Sequence, residues 1–237
     1  MKGGTLPTTM SLSDLWKSFR FITDCSSFSE KEQEFLFAFL AEEQKKKEQK
    51  RIEHLMRMSG IKRIKLLADF DWVFNPKIPR EKLMEYLHTD WLVRSSNLVL
   101  IGPAGVGKTH IATAFCHDAI MKGQQTIFSG LFDLMARFSR AKSVYGLIDY
   151  CVKVPVLCID ELGYVMPTKE QADILFQIIS KRTEIGTTIV TTNLTPSQWG
   201  KVFDTVTASA ILDRLSINGR FITFEGRSYR SRKLEKG

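Results

Sequence analysis

From Asn97 onward the chain alternates short apolar runs with longer amphipathic stretches. The runs NLVLIG, QTIFSG, VPVLCID, TTIVTTN and RFITFEG are rich in Val, Ile, Phe and Thr, the composition of strands. Between them, HIATAFCHDAIMKG, LFDLMARF and TKEQADILFQIISKR repeat their apolar positions at helical spacing, and Thr168-x-x-Gln171 can open the last with a capping box. Near-continuous apolar strands separated by helices predict an α/β domain: a parallel sheet flanked by helices on both faces. Upstream, residues 1 to about 65 read as helical. Ser27-x-x-Glu30 can form a capping box, Phe35, Leu36, Phe39 and Leu40 recur at helical spacing, and Gly60 suits a stop. The polar middle, AEEQKKKEQKR, leaves little apolar face to bury. ADFDWVFNPKIPREK, 68–82, mixes polarity around two prolines and reads as a linker. The expected organisation is a small N-terminal helical module, 1–66, followed by the α/β domain, 67–237.

Composition narrows the function classes. With 237 residues and 43% hydrophobic content the chain can bury a full-sized core. It has no apolar run of the roughly eighteen residues a membrane span needs, and MKGGTLPTTMSLSD lacks the apolar centre of a secretory signal, so a cytoplasmic protein is expected. Cys25, Cys116, Cys151 and Cys158 form no CxxC pair, and His54, His88, His110 and His117 add no ligand spacing to them. Neither disulfides nor a metal site built by the protein alone is expected; a metal should arrive with a nucleotide. Charge is uneven: nine basic against two acidic residues in 45–65 and six against two in 220–237 give +7 and +4, so the rest carries −3 of the net +8. Local basic excess suits a polyanionic partner, although a solvated helix face explains it better when taken alone.

Gly102-x4-Gly107-Lys108-Thr109 lies between a predicted strand and a predicted helix, the context in which this motif binds phosphate. Residues Gly102, Pro103, Ala104, Gly105, Val106, Gly107, Lys108, Thr109 and His110 form the candidate cradle, with backbone N–H groups and a helix N-terminus facing the phosphates. Lys108 is suited to the β- and γ-phosphates and Thr109 to Mg²⁺. VPVLCID ends in Asp160 and Glu161 at the carboxyl edge of the predicted sheet, where ligands bind in such folds. Asp160 is placed to hold Mg²⁺ and Glu161 to direct and deprotonate an attacking water, which favours hydrolysis over transfer to a second substrate. TTIVTTN ends in Asn193, which either contacts the γ-phosphate or starts the turn before Pro196; spacing leaves both open. Arg214 and Arg230 are candidates for a transition-state cation, and spacing does not say which acts in its own subunit.

The ordered set GPAGVGKTHIA, LCIDELGY, TTIVTTNLTPSQW, AILDRL and GRSYR resembles the AAA+ ATPases of the IstB-like group, helper proteins of insertion-sequence transposition. The similarity runs from about Leu67 to about Arg232; residues 1–66 match only loosely. DnaC-type helicase loaders share the phosphate loop, the DR box and the closing SYRSR, whereas DELGY, NLTPSQW and ADFDW look more like the transposition helpers. The resemblance implies a P-loop AAA+ ATPase using ATP and Mg²⁺. It assigns Asp160 and Glu161 to the Walker B pair, Asn193 to the first sensor, Arg214 to the finger reaching a neighbour's ATP and Arg230 to the second sensor. It further implies a homo-oligomer with ATP sites between subunits, assembled on duplex DNA without reading sequence and engaging a transposase. Arg137, Arg140 and Lys142, after the second strand, are candidate phosphate contacts, with an exposed helix end as the competing reading. The lysine cluster 45–51 is a second candidate. A helicase loader and a DNA-binding adaptor with a merely structural nucleotide remain the alternatives.

Overall fold

A computed structural model of the chain describes residues 11–231. The chain divides between His54 and Leu55 into two compact units. In the first, helix α1 (Leu12–Ser18) opens with a reciprocal capping box between Ser11 and Asp14. A short 3₁₀ turn follows at Cys25–Ser27, and helix α2 (Glu30–Met58) begins in this unit and ends in the second. The box expected from Ser27 and Glu30 does not form. Ser27 Oγ donates to Asp24 O within the 3₁₀ turn, and Ser29 instead donates from its N–H and hydroxyl to Glu32 Oε2. The pattern Ser-x-x-Glu fits both pairs; Phe28, packed against Leu15, Trp16 and Leu40, keeps the chain out of the helix until Ser29. Leu36 and Leu40 share the stripe that faces this small core, whereas Phe35 and Phe39, one position earlier in each turn, remain exposed and stack on each other.

The second unit holds helix α3 (Arg80–His88), strand β1 (Leu98–Ile101), α4 (Lys108–Met121), β2 (Thr126–Gly130), α5 (Leu131–Ser139), α6 (Val144–Lys153), β3 (Val156–Leu162), α7 (Lys169–Arg182), β4 (Thr187–Thr192), α8 (Thr205–Ser216) and β5 (Arg220–Thr223). All five strands pair in parallel in the order β2-β3-β4-β1-β5. Every residue of β1 and β4 is buried, which explains why the sequence shows continuous apolar runs there rather than alternation. Side-chain alternation still sorts the two faces. Leu98, Leu100, Val156, Cys158 and Ile189 join α3 and α4 in one core, and Val99, Ile101, Leu157, Ile159 and Val190 join α5 to α8 in the other. Thr168 and Gln171 cap α7 as the sequence suggests. At the amino edge of the sheet the last residue of α7, Arg182, is buried and donates to the carbonyls of Cys151, Val152, Val154, Pro155 and Thr187 and to Thr188 Oγ1. The carboxyl edge is left for the phosphate loop.

Candidate nucleotide site

The loop 102–107 joins β1 to α4, so its residues leave the sheet at its carboxyl edge and enter a helix N-terminus. Two glycines explain its shape. Gly105 has φ 78° and its α-carbon faces Ser228, whose Oγ would lie 2.1 Å from an added Cβ. Gly107 has φ 107° and faces the Phe70 ring, 2.5 Å from the same imagined atom. Left-handed backbone and close neighbours thus both demand glycine, and the loop keeps its N–H-lined concavity for the same reason. Lys108 Nζ donates to Gly102 O at 2.6 Å and Pro103 O at 2.7 Å, curling the side chain over the loop. Burial pushes the Lys108 amine below its ordinary value; the Asp160 carboxylate pulls it up, the Arg230 charge pushes it down and Glu161 pulls it up. A polyphosphate would supply the counter-charge that Lys108 has only in part.

Across the cleft, β3 presents Asp160 and Glu161. Thr109 Oγ1 donates to Asp160 Oδ1 at 3.0 Å, so the hydroxyl and the carboxylate picked out for a cation stand side by side. Among the described residues no group of three or more His, Cys, Asp or Glu side chains could hold a metal. The pair therefore fits a divalent ion that brings further oxygen ligands with it, as a nucleotide-bound Mg²⁺ does. Glu161 is exposed into the cleft, with φ 61°. Tyr164, Thr191 and Thr192 complete this side.

The cleft has a volume of about 440 Å³. Ala104 to His110, Glu161 and Arg230 line it, together with the segment 65–75 through Lys65, Asp69, Phe70, Asp71, Phe74 and Asn75. The segment 68–82 is thus more than the linker its sequence suggests: its first part is a wall of the site. His110 Nε2 meets Leu66 O at 2.7 Å, Phe70 meets the His110 ring edge to face, and Phe74 meets Tyr229 in the same way. Asn75 is buried, donates from Nδ2 to Arg227 O and accepts from Arg227 N–H on Oδ1. Tyr229 N–H donates to Gly105 O. The stretch after β5 is thereby tied to the wall on one side and to the phosphate loop on the other, which brings Arg230 into the cleft.

Gly102, Pro103 and Asp160 are not among the lining residues, and three further expected groups lie outside it. β4 does run between β3 and β1, the condition under which Asn193 faces the γ-phosphate, but Asn193 is exposed at the strand's end beside Gly163. Arg214 lies on α8, half-buried and paired with Asp213 at 2.9 Å. Arg137 and Arg140 flank a separate groove with Asp133, Ala136, Ala141 and Leu147, and Lys142 is exposed beside it.

The profile of the family described as IstB-like ATP binding protein matches residues 9–237. The chain belongs to that family. It is 34% identical over 204 residues to the ATP-binding protein of insertion sequence IS5376 from Geobacillus stearothermophilus, covering 84% of this chain and 81% of that one. It is also 34% identical over 207 residues to the ATP-binding protein of insertion sequence IS21 from Pseudomonas aeruginosa, covering 86% and 78%. Among solved structures, DnaI superposes with a TM-score of 0.57 at 22% identity, over 69% of this chain and 89% of that one. The replication initiator DnaA bound to AMPPCP and single-stranded DNA gives 0.56 at 18%, over 72% and 54%. These likenesses place the sheet and its helices in the P-loop AAA+ fold.

Within this ATP-binding family fold, sequence reasoning missed Phe70, Phe74, Asn75 and Tyr229. Aromatic spacing in FDWVFN hinted at a buried face, but only the path of the chain reveals which surface it covers. Thr191 was missed too; it lies inside an apolar strand and reads there as an ordinary β-branched residue.

Proposed function

We propose that this chain is a Mg²⁺-dependent ATPase that oligomerises on duplex DNA and promotes DNA transposition by recruiting or activating a transposase. One observation carries the chemistry: Glu161 lines the same cleft as Lys108, Thr109 and Arg230, with Asp160 hydrogen-bonded to Thr109 behind them. Lys108 leaves the carbonyls of Gly102 and Pro103 to meet phosphate oxygens, and the loop N–H groups take the rest of the negative charge. Thr109 and Asp160 would hold Mg²⁺, which would supply positive charge to the phosphates. Glu161 orients a water and accepts its proton, and Arg230 adds a fixed positive charge. Arg214 does not line its own cleft and pairs with Asp213, which suits a finger offered to a neighbouring subunit and worth about 10³ to 10⁵ in rate. Asn193 would reach the phosphate or the water by a rotation of its exposed side chain.

The DNA and transposase parts rest on the relatives, both ATP-binding proteins of insertion sequences, and on the basic stretches 45–65 and 220–237. Arg137, Arg140 and Lys142 are proposed contacts to DNA phosphates. The module 1–66 is proposed as the partner-facing part and 67–237 as the ATPase domain. The test is Glu161→Gln, assayed for ATP binding, turnover and retention on duplex DNA. We expect ATP to stay bound, hydrolysis to fall by at least about 10², and the DNA-bound oligomer to persist. Normal turnover in this variant would remove Glu161 from the mechanism, and a preference for single strands would favour a helicase loader.

A further inference from the structure

The carboxyl end of β3 is irregular in a way that involves β4. Ile159 pairs with Val190 and Leu162 with Thr192, so Asp160 and Glu161 together stand opposite the single residue Thr191. A bulge of this kind re-aims side chains and takes a backbone group out of the ladder. Here the displaced group is the Glu161 N–H, which donates to Thr191 Oγ1 at 3.0 Å. The same hydroxyl gives its own proton to Asp160 Oδ1 at 2.5 Å. Thr191 is 1% exposed, so neither bond competes with water. Glu161, with a β-carbon and φ 61°, occupies a conformation that L residues disfavour and that persists only where surroundings fix it.

We infer that Thr191 is a positioning residue for ATP hydrolysis, its one hydroxyl setting both the Asp160 carboxylate and the backbone that aims Glu161. This inference rests on the ATPase reading above. Packing alone does not ask for threonine: valine has the same shape and would serve a buried β4 position equally well. Only the two hydrogen bonds need the oxygen. Thr109 also donates to Asp160 Oδ1, but its hydroxyl is the one suited to turn to a cation. Thr191, with no such second task, would then keep Asp160 in place.

The experiment compares the full-length chain with Thr191→Val and Thr191→Ser. It measures ATP turnover against ATP and Mg²⁺ concentration, equilibrium binding of a fluorescent ATP analogue with Mg²⁺ and with EDTA, and melting temperature. We expect Val to lower kcat by about 10- to 100-fold and raise the Mg²⁺ concentration needed for tight analogue binding by about tenfold, the usual range for groups that orient metal ligands. Analogue affinity in EDTA should be unchanged, since the phosphate loop is untouched. Ser, which keeps the oxygen, should recover most of both losses. A Val variant with unaltered kcat and Mg²⁺ requirement overturns the inference, as does a Ser variant no better than Val. Should Val melt below the assay temperature, Thr191→Ala carries the same expectations. Failure of the ATPase reading looks different: the unaltered chain then shows no turnover, and the inference falls with it.

Discussion

Arg182 ends α7 with its side chain buried and six acceptors in reach, five of them main-chain carbonyls and none a carboxylate. Burial lowers its guanidinium to about 10, yet it stays charged at neutral pH and closes the amino edge of the sheet where α6, β3 and β4 converge. Arg182→Met would leave those carbonyls dry and unpaired, and we expect a loss of about 3 kcal/mol or more, read from urea denaturation. Arg182→Lys should recover little, because an ammonium offers three donors from a point where the guanidinium spreads five across a plane. In the sequence this residue is the last of ISKR, indistinguishable from a solvated helix end. Its role emerges only when three chain segments meet around it.

At the scale of elements, the phosphate loop and its two straps act together. Gly105→Ala forces a left-handed alanine against Ser228, and we expect ATP affinity to fall at least tenfold, with partial recovery when Ser228→Gly is added, by equilibrium binding. Phe70→Ala removes the ring beside Gly107 and should also weaken ATP binding, by about tenfold. Helix α8 gives a pH-dependent case. Its N-cap Asp204 accepts from the N–H groups of Val206 and Thr207, and the Thr207 bonds hold its carboxyl below the ordinary 3.8. The stabilisation is therefore complete above 3.8 and disappears as pH falls through the lower folded value. Asp204→Asn, which still caps, should keep the melting temperature at pH 7 and lose this acid-side contribution, measured by thermal melts from pH 2.5 to 7. The five strands and the loop between β1 and α4 were legible because each is signalled within one short window of sequence. Helices α3, α6 and α8 are not among the stretches whose spacing predicts a helix, and 68–82, whose first part belongs to the wall, reads in the sequence as a linker. Its meaning depends on contacts with Gly107 and Arg227, far along the chain.

For the whole molecule, the position of Arg214 makes a prediction about subunits. Lys108→Ala and Arg214→Ala should each abolish turnover alone. Mixed in equal amounts they should regain part of it, because a Lys108→Ala subunit can still offer Arg214 to a neighbour with an intact loop; steady-state ATPase of the mixture checks this. If both variants stay silent when mixed, Arg214 serves its own subunit. Such a role is invisible in one chain and in its sequence alike, since the group it would serve belongs to another copy.

Asn75 gives the cleft a mechanical property. Its two hydrogen bonds to Arg227 join segments 152 residues apart in the chain, one carrying Phe70 and Phe74, the other Tyr229 and Arg230. The two walls are therefore latched to each other as well as to the loop between them. Any movement of one wall would either carry the other with it, Arg230 included, or break the Asn75 latch first. While the latch holds, opening the cleft would withdraw Arg230 in the same motion.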